Sequence, residues 1–312
     1  MLEILKALAD PCRLRLTAVL FSGEFTVQEL TRIMGMGQSR ISRHLKILTE
    51  AGLLTVKRQG TWSYFRGNCS NVFFAAIRPA FEQEMEAFSE RNHDLVAVAE
   101  VLEERHRRSR EFFDHHARQW DDLAKSLLPT PEYRPRLLEL VPRDTVLLEI
   151  GIGTGALLTE LATHGAPVIG VDHSPAMLEE ARHRIGNQEN IELRLGEMNH
   201  LPVPDGTVGC VIATMVLHHA ADPAPVLGEF RRVLAPGGML LLADLARHER
   251  EAAREQLADQ WLGFEEHELA HWLKRAGFND ISVEQIAAVA GQEPVLLIRS
   301  YAGSPCNLNS NH

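Results

Sequence analysis

The chain has 312 residues, of which 45% are apolar and 24% are charged, and its formal net charge at pH 7 is −10. This composition is typical of soluble globular proteins, and the length is sufficient for two domains. Because no apolar run is long enough to span a bilayer and the first residues lack the order of a signal peptide, we expect a cytoplasmic protein with no membrane partner.

The negative charge is distributed unevenly along the chain. Residues 1–66 contain ten Lys and Arg side chains and five acidic ones, a net charge of +5, so the remaining residues carry −15. Nucleic acid is therefore expected to approach the N-terminal end and to be repelled by the rest. The four cysteines, Cys12, Cys69, Cys210 and Cys306, are far apart, which argues against a zinc ribbon or a disulfide framework.

The first 66 residues predict short helices followed by a β-hairpin. Asp10-Pro11 places proline in the first turn of a helix that runs towards Phe21, and Thr26 with Glu29 forms a capping-box pattern before the next helix. A third helix and the two strands of the hairpin are predicted at Gln38–Glu50, Leu53–Arg58 and Trp62–Arg66.

The helix predicted at Gln38–Glu50 has the chemistry of a DNA-reading helix. Ile41, Leu45 and Leu48 share one face and anchor it to a core, while the opposite face carries short polar and long basic groups. Arg can donate two hydrogen bonds to guanine, and Gln can pair similarly with adenine. A small helical domain with an ordinary polar face is the alternative, but the order of helix, turn, basic helix and hairpin favours DNA binding. The candidate DNA-contacting residues are Gln38, Ser39, Arg40, Ser42, Arg43 and His44 in the helix and Lys57, Arg58 and Thr61 in the hairpin.

The N-terminal region resembles the winged-helix domain of ArsR-type repressors along the stretches LADPCRLRLTAVL, TVQEL and GQSRISRHLKILTEAGLLTVKRQGTWSYFR. The resemblance implies a homodimer that binds an inverted-repeat operator in double-stranded DNA, with two recognition helices about one helical turn apart. Metal-sensing members carry a cysteine-rich segment in the preceding helix, where this chain has FTVQELTRIM without a thiol. Cys12 lies elsewhere and stands alone in the sequence, so we do not expect this domain to sense arsenic or zinc.

The remainder of the chain predicts a helical connector and a second domain. Between about residues 70 and 128 the sequence is charged and typical of long helices, which favours a solvated connector that also pairs two subunits. Beyond it, short apolar strands alternate with helical stretches, the pattern of a parallel sheet covered by helices on both faces. The predicted strands are Val146–Ile150, Val168–Asp172, Ile191–Leu195, Val208–Thr214 and Met239–Asp244.

We therefore predict an N-terminal winged helix-turn-helix domain (α+β) at 1–68 and a connector and probable dimerisation region at 69–128. A Rossmann-like, doubly wound α/β domain of the class I methyltransferase type is predicted at 129–301, with a disordered tail at 302–312.

The first strand of the second domain runs into a glycine-rich turn formed by Gly151, Gly153 and Gly155. Such a turn brings the backbone close to a ligand at the N-terminus of the following helix. Asp172 ends the second strand, 17 residues after Gly155, where a carboxylate can accept both hydroxyls of a ribose. The spacing Gly151-x-Gly153-x-x-Ala156 also fits the dinucleotide fingerprint, so NAD is an alternative ligand at this point.

Glu149 and the segments downstream favour an adenosyl amino acid over NAD. The carboxylate of Glu149 lies in the strand two residues before Gly151, where it can hold an ammonium group and would repel a pyrophosphate. The downstream segments resemble the class I methyltransferase pattern over about residues 110–300, through Gly196-Glu197-Met198, LPVPD from Leu201, VLHH from Val216 and RVLAPGG from Arg232. The resemblance implies that S-adenosylmethionine or S-adenosylhomocysteine is the bound cofactor.

The same resemblance assigns roles to individual side chains. It implies that Glu197 contacts the adenine amino group and that Met198 packs against the ring. The segment from Phe112 to Trp120 resembles the lid helix that precedes such domains, although an aromatic at helical spacing is more often plain packing. The candidate cofactor-binding residues are Glu149, Gly151, Gly153, Gly155, Asp172, His173, Met177, Glu197, Met198 and Trp120.

The sequence offers no clear catalytic or metal-binding group. No acid, base or thiol cluster stands out, so we assign no catalytic residue. His218-His219 suggests a metal site, but adjacent residues at a strand end point to opposite sides and no third ligand is evident, so we predict packing and no bound metal. Asp244, which ends a strand, is as consistent with a turn cap as with ligand binding.

These features predict a transcriptional repressor whose DNA affinity depends on an adenosyl ligand. The combination of the two domains resembles that of ArsR-type regulators linked to the methyl cycle. S-adenosylhomocysteine is the favoured effector, because a pathway sensor is most useful when it reports the inhibitory product. An active S-adenosylmethionine-dependent methyltransferase with a DNA-targeting module is an alternative, since many such enzymes work mainly by proximity and orientation. An NAD-responsive repressor is a third.

Overall fold

The computed structural model describes residues 1–59, 62–68, 71–127, 130–250, 252–289 and 291–303. The predicted disordered tail therefore lies outside the described residues from position 304 onward, as do Cys69 and Cys306. The chain divides into two compact units, Met1–Arg107 and the part that begins at Arg108. None of the described helices combines the length and apolar content needed to cross a membrane.

The first unit packs helices around a small antiparallel sheet. Its described helices are α1 (Leu2–Leu8), α2 (Pro11–Ser22), α3 (Val27–Met34), α4 (Gln38–Glu50), α5 (Val72–Glu86) and the part of α6 (Arg91–His116) up to Arg107. The strands β1 (Phe25–Thr26), β2 (Leu54–Gln59) and β3 (Trp62–Gly67) pair in the order β1-β3-β2. The predicted bounds of α4 are confirmed, and those of the hairpin strands differ by at most one residue.

Local capping decides where the first helices begin and end. The carboxylate of Asp10 accepts a hydrogen bond from the backbone N–H of Arg13 at 3.1 Å. The predicted capping box is confirmed: the N–H of Thr26 donates to Glu29 at 2.8 Å, and the N–H of Glu29 donates to the Thr26 hydroxyl at 3.3 Å. Gly35, with a left-handed φ of 62°, ends α3 and turns the chain into α4.

The core of the first unit is formed by the apolar faces of α2, α3 and α4. Leu16, Ile33 and Leu48 are completely buried there. Phe74 of α5 and Val101 of α6 belong to the same cluster. The first part of the segment predicted as a solvated connector therefore packs onto the winged-helix fold, because it carries apolar side chains that this core buries.

Two buried ion pairs fasten α6 to the rest of the first unit. The guanidinium of Arg15 donates to Asp94 at 2.6 and 2.8 Å. That of Arg105 donates to Glu29 at 2.6 and 2.7 Å. Bidentate pairs of this kind restrict the orientation of both side chains, so they hold α6 in one register against α2 and α3.

The second unit is a seven-stranded sheet flanked by helices. Its described helices are α6 from Arg108, α7 (Trp120–Leu127), α8 (Arg134–Leu140), α9 (Ala156–Ala162), α10 (Pro175–Ile185), α11 (Pro223–Val233), α12 (Ala252–Gln256) and α13 (Glu266–Arg275), with 3-10 turns at Ala117–Gln119 and Leu217–His219. Its strands are β4 (Leu147–Ile150), β5 (Val168–Asp172), β6 (Ile191–Leu195), β7 (Val208–Thr214), β8 (Leu234–Leu245), β9 (Phe278–Ile286) and β10 (Val295–Ala302).

The sheet has the order β6-β5-β4-β7-β8-β10-β9, and β10 runs antiparallel to both of its neighbours. The other pairs are parallel. The α/β prediction is thereby confirmed, with β5, β6 and β7 at their predicted bounds. The antiparallel strands β9 and β10 were not predicted from the sequence. Because β5 and β7 lie on either side of β4, the connections diverge there, and ligands of open α/β sheets bind at such a point.

Successive residues of the central strands supply the two faces of the sheet. Leu148 and Val211 belong to one buried cluster, and Leu147 and Ile212 belong to the other. Glu149 follows on the side of Leu147, and it is the polar residue in the otherwise apolar strand β4.

Candidate functional site

The glycine-rich turn after β4 requires glycine for both conformation and space. Gly151, Gly153 and Gly155 have φ values of 66°, 52° and 77°, a region that L-residues rarely adopt. A Cβ at Gly151 would lie 2.3 Å from Cγ2 of Val216, so the turn there touches the segment that follows β7. At Gly153 the nearest side chain is the indole of Trp120, 3.8 Å from an added Cβ. The glycine-rich turn therefore lies next to Trp120, the side chain predicted to belong to a lid.

Asp172, at the end of β5, holds the turn in place. Its Oδ2 accepts the N–H of Gly153 at 2.9 Å, and its Oδ1 accepts the N–H of Ser174 at 2.9 Å. Nδ1 of His173 lies 3.5 Å from the same Oδ1, and Asp172 is 5% exposed. A ribose hydroxyl would therefore share these oxygens with the groups that already contact them.

A cavity of about 540 Å³ opens beside this turn. Of the candidate cofactor-binding residues, Trp120, Glu149, Gly151 and Gly153 line it. Its polar lining also includes Tyr133, Arg134, Thr154, Thr214, His218 and Asp259. The volume is within the range of sites for small molecules and cofactors.

Glu149 is the most unusual group in the cavity wall. It is 2% exposed, and its Oε2 has no hydrogen-bond partner among the described residues. Burial raises the pKa of its carboxyl to about 8; Arg134 opposes this shift, and Asp172 and Glu160 add to it. A buried carboxyl that lacks a partner is costly, and a cationic group in the cavity would satisfy it.

The other cofactor candidates do not line this cavity: Gly155, Asp172, His173, Met177, Glu197 and Met198. Two of them lie beside Trp120, which does line it. His173, Met177 and Trp120 surround the ring of Phe113, whose centroid lies 5.6 Å from that of His173 and 4.9 Å from that of Trp120. Glu197 accepts a hydrogen bond from Arg110 at 2.9 Å.

Both Phe113 and Arg110 belong to α6, so this helix covers the residues that the resemblance assigns to the adenosine. Gly155 meets Ala181 of α10, and Met198 packs against the apolar cluster on one face of the sheet.

The candidate DNA-binding residues divide into an exposed and a buried set. Gln38, Ser39, Arg40, Ser42 and Arg43 are exposed on α4, opposite the buried residues Ile41, Leu45 and Leu48. In the hairpin, Arg58 is exposed and Lys57 is half-buried. Thr61 lies outside the described residues.

His44 requires a correction, because its side chain is only 8% exposed and cannot face a DNA groove. One ligand atom each from Asp10, Cys12 and His44 lie within 4.8 Å of one another, so Cys12 is not isolated in space. Arg40 donates to the Cys12 sulfur at 3.7 Å, and Asp10 caps α2. Since two of these three groups already have partners, we propose no metal site here.

Residues 1–56 match the family model described as bacterial regulatory protein, arsR family, and residues 148–242 match the model described as methyltransferase domain. The chain carries an ArsR-family helix-turn-helix domain and a methyltransferase domain. The ArsR-family domain implies DNA binding, and the methyltransferase fold implies binding of S-adenosylmethionine or S-adenosylhomocysteine.

Relatives of known type match parts of the chain. An arsenite methyltransferase of Halobacterium salinarum is 38% identical over 113 residues, which are 35% of this chain and 29% of that protein. The chain thus spans less than a third of this relative's length. A SAM-dependent methyltransferase from Thermotoga maritima has a similar fold, with a TM-score of 0.52, 22% identity and coverage of 62% of this chain and 99% of that one.

A second solved structure has the same fold. It is N-methyltransferase 2 of Haemonchus contortus, solved with phosphomonomethylethanolamine and S-adenosylhomocysteine. Its TM-score is 0.52 at 16% identity, with coverage of 63% of this chain and 60% of that one.

Within the methyltransferase domain, the reason for excluding a metal at His218-His219 needs correction. The two residues lie on the 3-10 turn Leu217–His219 and not on a strand end, and their ring centroids are 4.1 Å apart. Asp244 caps this turn by accepting the N–H of Leu217 at 2.9 Å, and it also contacts Nδ1 of His218 at 2.6 Å. Burial disfavours the charged form of His218, but the carboxylates of Asp244 and Asp259 outweigh this effect and raise the pKa of His218 to about 9.

The sequence did not reveal several residues that shape the methyltransferase domain's site. Asp121 of α7 accepts a hydrogen bond from Thr154 of the glycine-rich turn at 2.7 Å, and Arg184 of α10 donates to Asp121 at 2.7 Å. Asp259 and Arg110 were also missed. Their partners are more than thirty positions away in the chain, and no local pattern marks such pairs.

Proposed function

We propose that this protein is an ArsR-type transcriptional repressor that binds an inverted-repeat operator as a homodimer. Its DNA affinity is controlled by S-adenosylhomocysteine or S-adenosylmethionine bound in the methyltransferase domain. The presence of both domains in one chain supports this proposal. The observation that carries it is the buried, partly unpartnered carboxylate of Glu149 beside the glycine-rich turn.

The chemistry of the cavity favours an adenosyl amino acid. Such a ligand offers an ammonium group, which pairs with Glu149, and ribose hydroxyls, which pair with Asp172. NAD offers a pyrophosphate in this part of the site, which has no cationic group to pair with Glu149. We therefore set the NAD-responsive repressor aside in favour of a sensor of S-adenosyl compounds.

Helix α6 is the element through which the ligand acts. Phe113 and Arg110 of this helix contact the side chains assigned to the adenosine, so the base of the ligand must displace or stack against them. The same helix contributes Asp94 and Arg105 to the first unit. A ligand that interacts differently with two arrangements of α6 shifts the equilibrium between them.

The ligand must bind the DNA-competent and the DNA-incompetent dimer with different affinities. Tight binding alone shifts nothing, and a tenfold difference between the two states corresponds to about 1.4 kcal/mol. S-adenosylhomocysteine is the favoured effector because it is the inhibitory product of methyl transfer, and because a sensor site needs no room for a methyl acceptor beside the sulfur.

Calorimetry with S-adenosylhomocysteine, S-adenosylmethionine and NAD tests the ligand. Fluorescence anisotropy on an operator selected from random duplexes, with each ligand at saturation, tests the coupling. We expect S-adenosylhomocysteine to bind more tightly than NAD and to change operator affinity at least fivefold. The variants Glu149→Gln and Asp172→Asn weaken ligand binding, while Glu266→Gln, an exposed acid on α13, leaves it unchanged. Equal operator affinity with and without either S-adenosyl ligand contradicts the sensor.

An active methyltransferase is the second candidate, supported by the identity to an arsenite methyltransferase and by the presence of His218 and Asp259 in the same cavity wall. Arsenite as acceptor calls for a cluster of thiols. The two cysteines within the described residues form none, because Cys12 lies in the first unit and Cys210 is buried in β7. Incubation with methyl-labelled S-adenosylmethionine and candidate acceptors decides between the two. Sustained turnover supports the enzyme over the sensor.

A further inference from the structure

A polar cluster lies beyond the carboxyl ends of β7 and β8, and none of its members is among the residues that the resemblance assigns to an adenosyl ligand. One ligand atom each from His218, His219 and Asp259 lie within 4.8 Å of one another. All three side chains are buried, and Asp259 is 3% exposed. His218 and Asp259 also line the cavity, so the cluster can be reached by a small molecule or ion.

The carboxylate of Asp259 is the least satisfied group in this cluster. Neither of its oxygens has a hydrogen-bond partner among the described residues. Its Oδ1 lies 3.6 Å from Nε2 of His218 and 3.6 Å from Nδ1 of His219, which is beyond hydrogen-bond distance. A buried carboxylate without a direct partner is costly, and a metal ion bound in place of the proton on His218 would give Asp259 such a partner.

The backbone holds the two segments that carry these side chains at a set separation. The N–H groups of Gln260 and Trp261 both donate to the carbonyl oxygen of His218 at 2.9 Å. Ala258, just before Asp259, has a φ of 59°, a conformation that costs a residue other than glycine about 1–3 kcal/mol. These two hydrogen bonds tie the loop that carries Asp259 to the turn that carries His218.

Asp244 orients the first of the two imidazoles. Its Oδ1 lies 2.6 Å from Nδ1 of His218, and this contact directs Nε2 of the same ring towards Asp259. A carboxylate that holds the distal nitrogen of a histidine is the usual outer partner of a metal-binding imidazole, because it sets the tautomer and the ring orientation.

We propose that His218, His219 and Asp259 bind a divalent transition-metal ion of the Zn²⁺ or Co²⁺ type, with a fourth position open to the cavity. Two imidazole nitrogens and one carboxylate oxygen form a donor set that such ions prefer, and hard ions such as Mg²⁺ favour all-oxygen sites. The open position is filled by water or by an oxygen or sulfur donor that enters the cavity.

The geometry needs little adjustment to take the ion. Bonds of 2.0–2.1 Å in a tetrahedral site place neighbouring donors about 3.3 Å apart, close to the two separations of 3.6 Å. Nδ1 of His219 has a further neighbour, the carbonyl oxygen of Ala258, at 3.4 Å. That distance is too long for a strong hydrogen bond, so the nitrogen can bind an ion at small cost.

Metal titration of the full chain after treatment with a chelator tests this proposal. We would use a Cys12→Ser background, which removes the thiol of the other candidate donor set, formed by Asp10, Cys12 and His44. Visible absorption of Co²⁺, competition by Zn²⁺ and metal content by mass spectrometry give the stoichiometry, the affinity and the coordination number.

We expect one Co²⁺ per chain, with the absorption of a four- or five-coordinate ion that Zn²⁺ displaces. Asp259→Asn and His219→Ala each weaken Co²⁺ binding at least tenfold, and Asp244→Asn weakens it roughly 10–100-fold as an outer partner. His267→Ala, an exposed histidine on α13, is the matched control and changes nothing. Far-ultraviolet circular dichroism checks that each variant is folded.

Two results overturn the proposal. The first is equal affinity of the Cys12→Ser protein and its His219→Ala derivative for Co²⁺ and for Zn²⁺. In that case His218 and Asp259 form only an ion pair. The second is a Co²⁺ complex that has the absorption of a six-coordinate, all-oxygen site and whose affinity is the same in Asp259→Asn and His219→Ala as in the parent protein. If Asp259→Asn does not fold, the His219→Ala variant provides the second test of the same site.

Discussion

The recognition helix and the ligand cavity place their polar side chains in opposite environments. On α4, Gln38, Arg40 and Arg43 are exposed, and the helix needs only an apolar face to be stable. In the cavity wall, Glu149 and Asp259 are 2% and 3% exposed and have oxygens without partners among the described residues. The proposed DNA-reading surface therefore costs the folded chain little, whereas the cavity holds unsatisfied acids whose cost a bound cation would offset.

Substitution in the glycine-rich turn is expected to have the largest effect. Gly151→Ala forces a Cβ to within 2.3 Å of Val216 at a φ of 66°, so strain and overpacking together cost about 2–5 kcal/mol and distort the ligand site. Gly165→Ala shares the positive φ but meets no atom within 4 Å, so it costs only the strain. Chemical denaturation and ligand calorimetry measure both. Equal losses in the two variants would mean that Val216 does not restrict the turn.

The next largest effect concerns the ion pair that fastens α6 to the first unit. Glu29→Gln leaves Arg105 buried opposite a neutral amide, and we expect the free energy of unfolding to fall by about 1.5–3 kcal/mol. Glu3→Gln removes an exposed pair with Lys6 and is expected to cost less than about 0.5 kcal/mol. A matching small loss in both would show that the pair of Glu29 and Arg105 contributes little to holding α6.

The same ion pair predicts how stability depends on pH. Burial of Glu29 favours its neutral form, but Arg105 and Thr26 outweigh this and hold its pKa below the usual value. The stabilisation is therefore complete above about pH 4.5 and is lost as pH falls further, and Glu29→Gln removes this part of the acid dependence.

Substitution on the recognition face affects operator binding and leaves stability unchanged. Arg40→Ala and Arg43→Ala each remove an exposed guanidinium from α4, and we expect operator affinity to fall by about 1–3 kcal/mol for a base contact. Arg182→Ala removes the same charge from an exposed position on α10 in the second unit and serves as the control. Anisotropy at two salt concentrations separates phosphate from base contacts. Unchanged affinity in both α4 variants would rule out this face as the interface.

A further effect is the pH dependence of ligand binding at Glu149. Its pKa is about 8 in the free site and falls when an ammonium group pairs with it, so binding below pH 8 releases a proton. The groups that act on it are Arg134, Asp172 and Glu160. We expect S-adenosylhomocysteine affinity to rise by up to about tenfold per unit between pH 6 and 8 and then to level off. Calorimetry in buffers of different ionisation enthalpy counts the proton, and Glu149→Gln abolishes the rise.

The sequence predicted the fold well because local patterns carry it. The capping box of Thr26 and Glu29, the bounds of α4 and the parallel strands β5, β6 and β7 all follow from periodicity and turn chemistry. The antiparallel strands β9 and β10 were missed because they follow one another without an intervening helix, so they fall outside the alternation of strands and helices that marks the parallel units. The packing of Phe74 and Val101 into the core of the first unit was also missed, because a few apolar side chains within a charged helical segment give no clear pattern.

The order of residues in the chain is sufficient to tell which residue types stand at the strand ends and on the helix faces. It therefore located the glycine-rich turn, the acid of Glu149 and the basic face of α4, whose exposure follows from a period of 3.6 residues. Which distant side chains contact one another depends on tertiary packing and is seen only in the structure. In the structure His44 is buried and Phe113 packs against His173. Asp259 lies close to His218 and His219. The physical reason is that buried polar clusters are assembled from segments far apart in the chain, where no short-range periodicity records the contact.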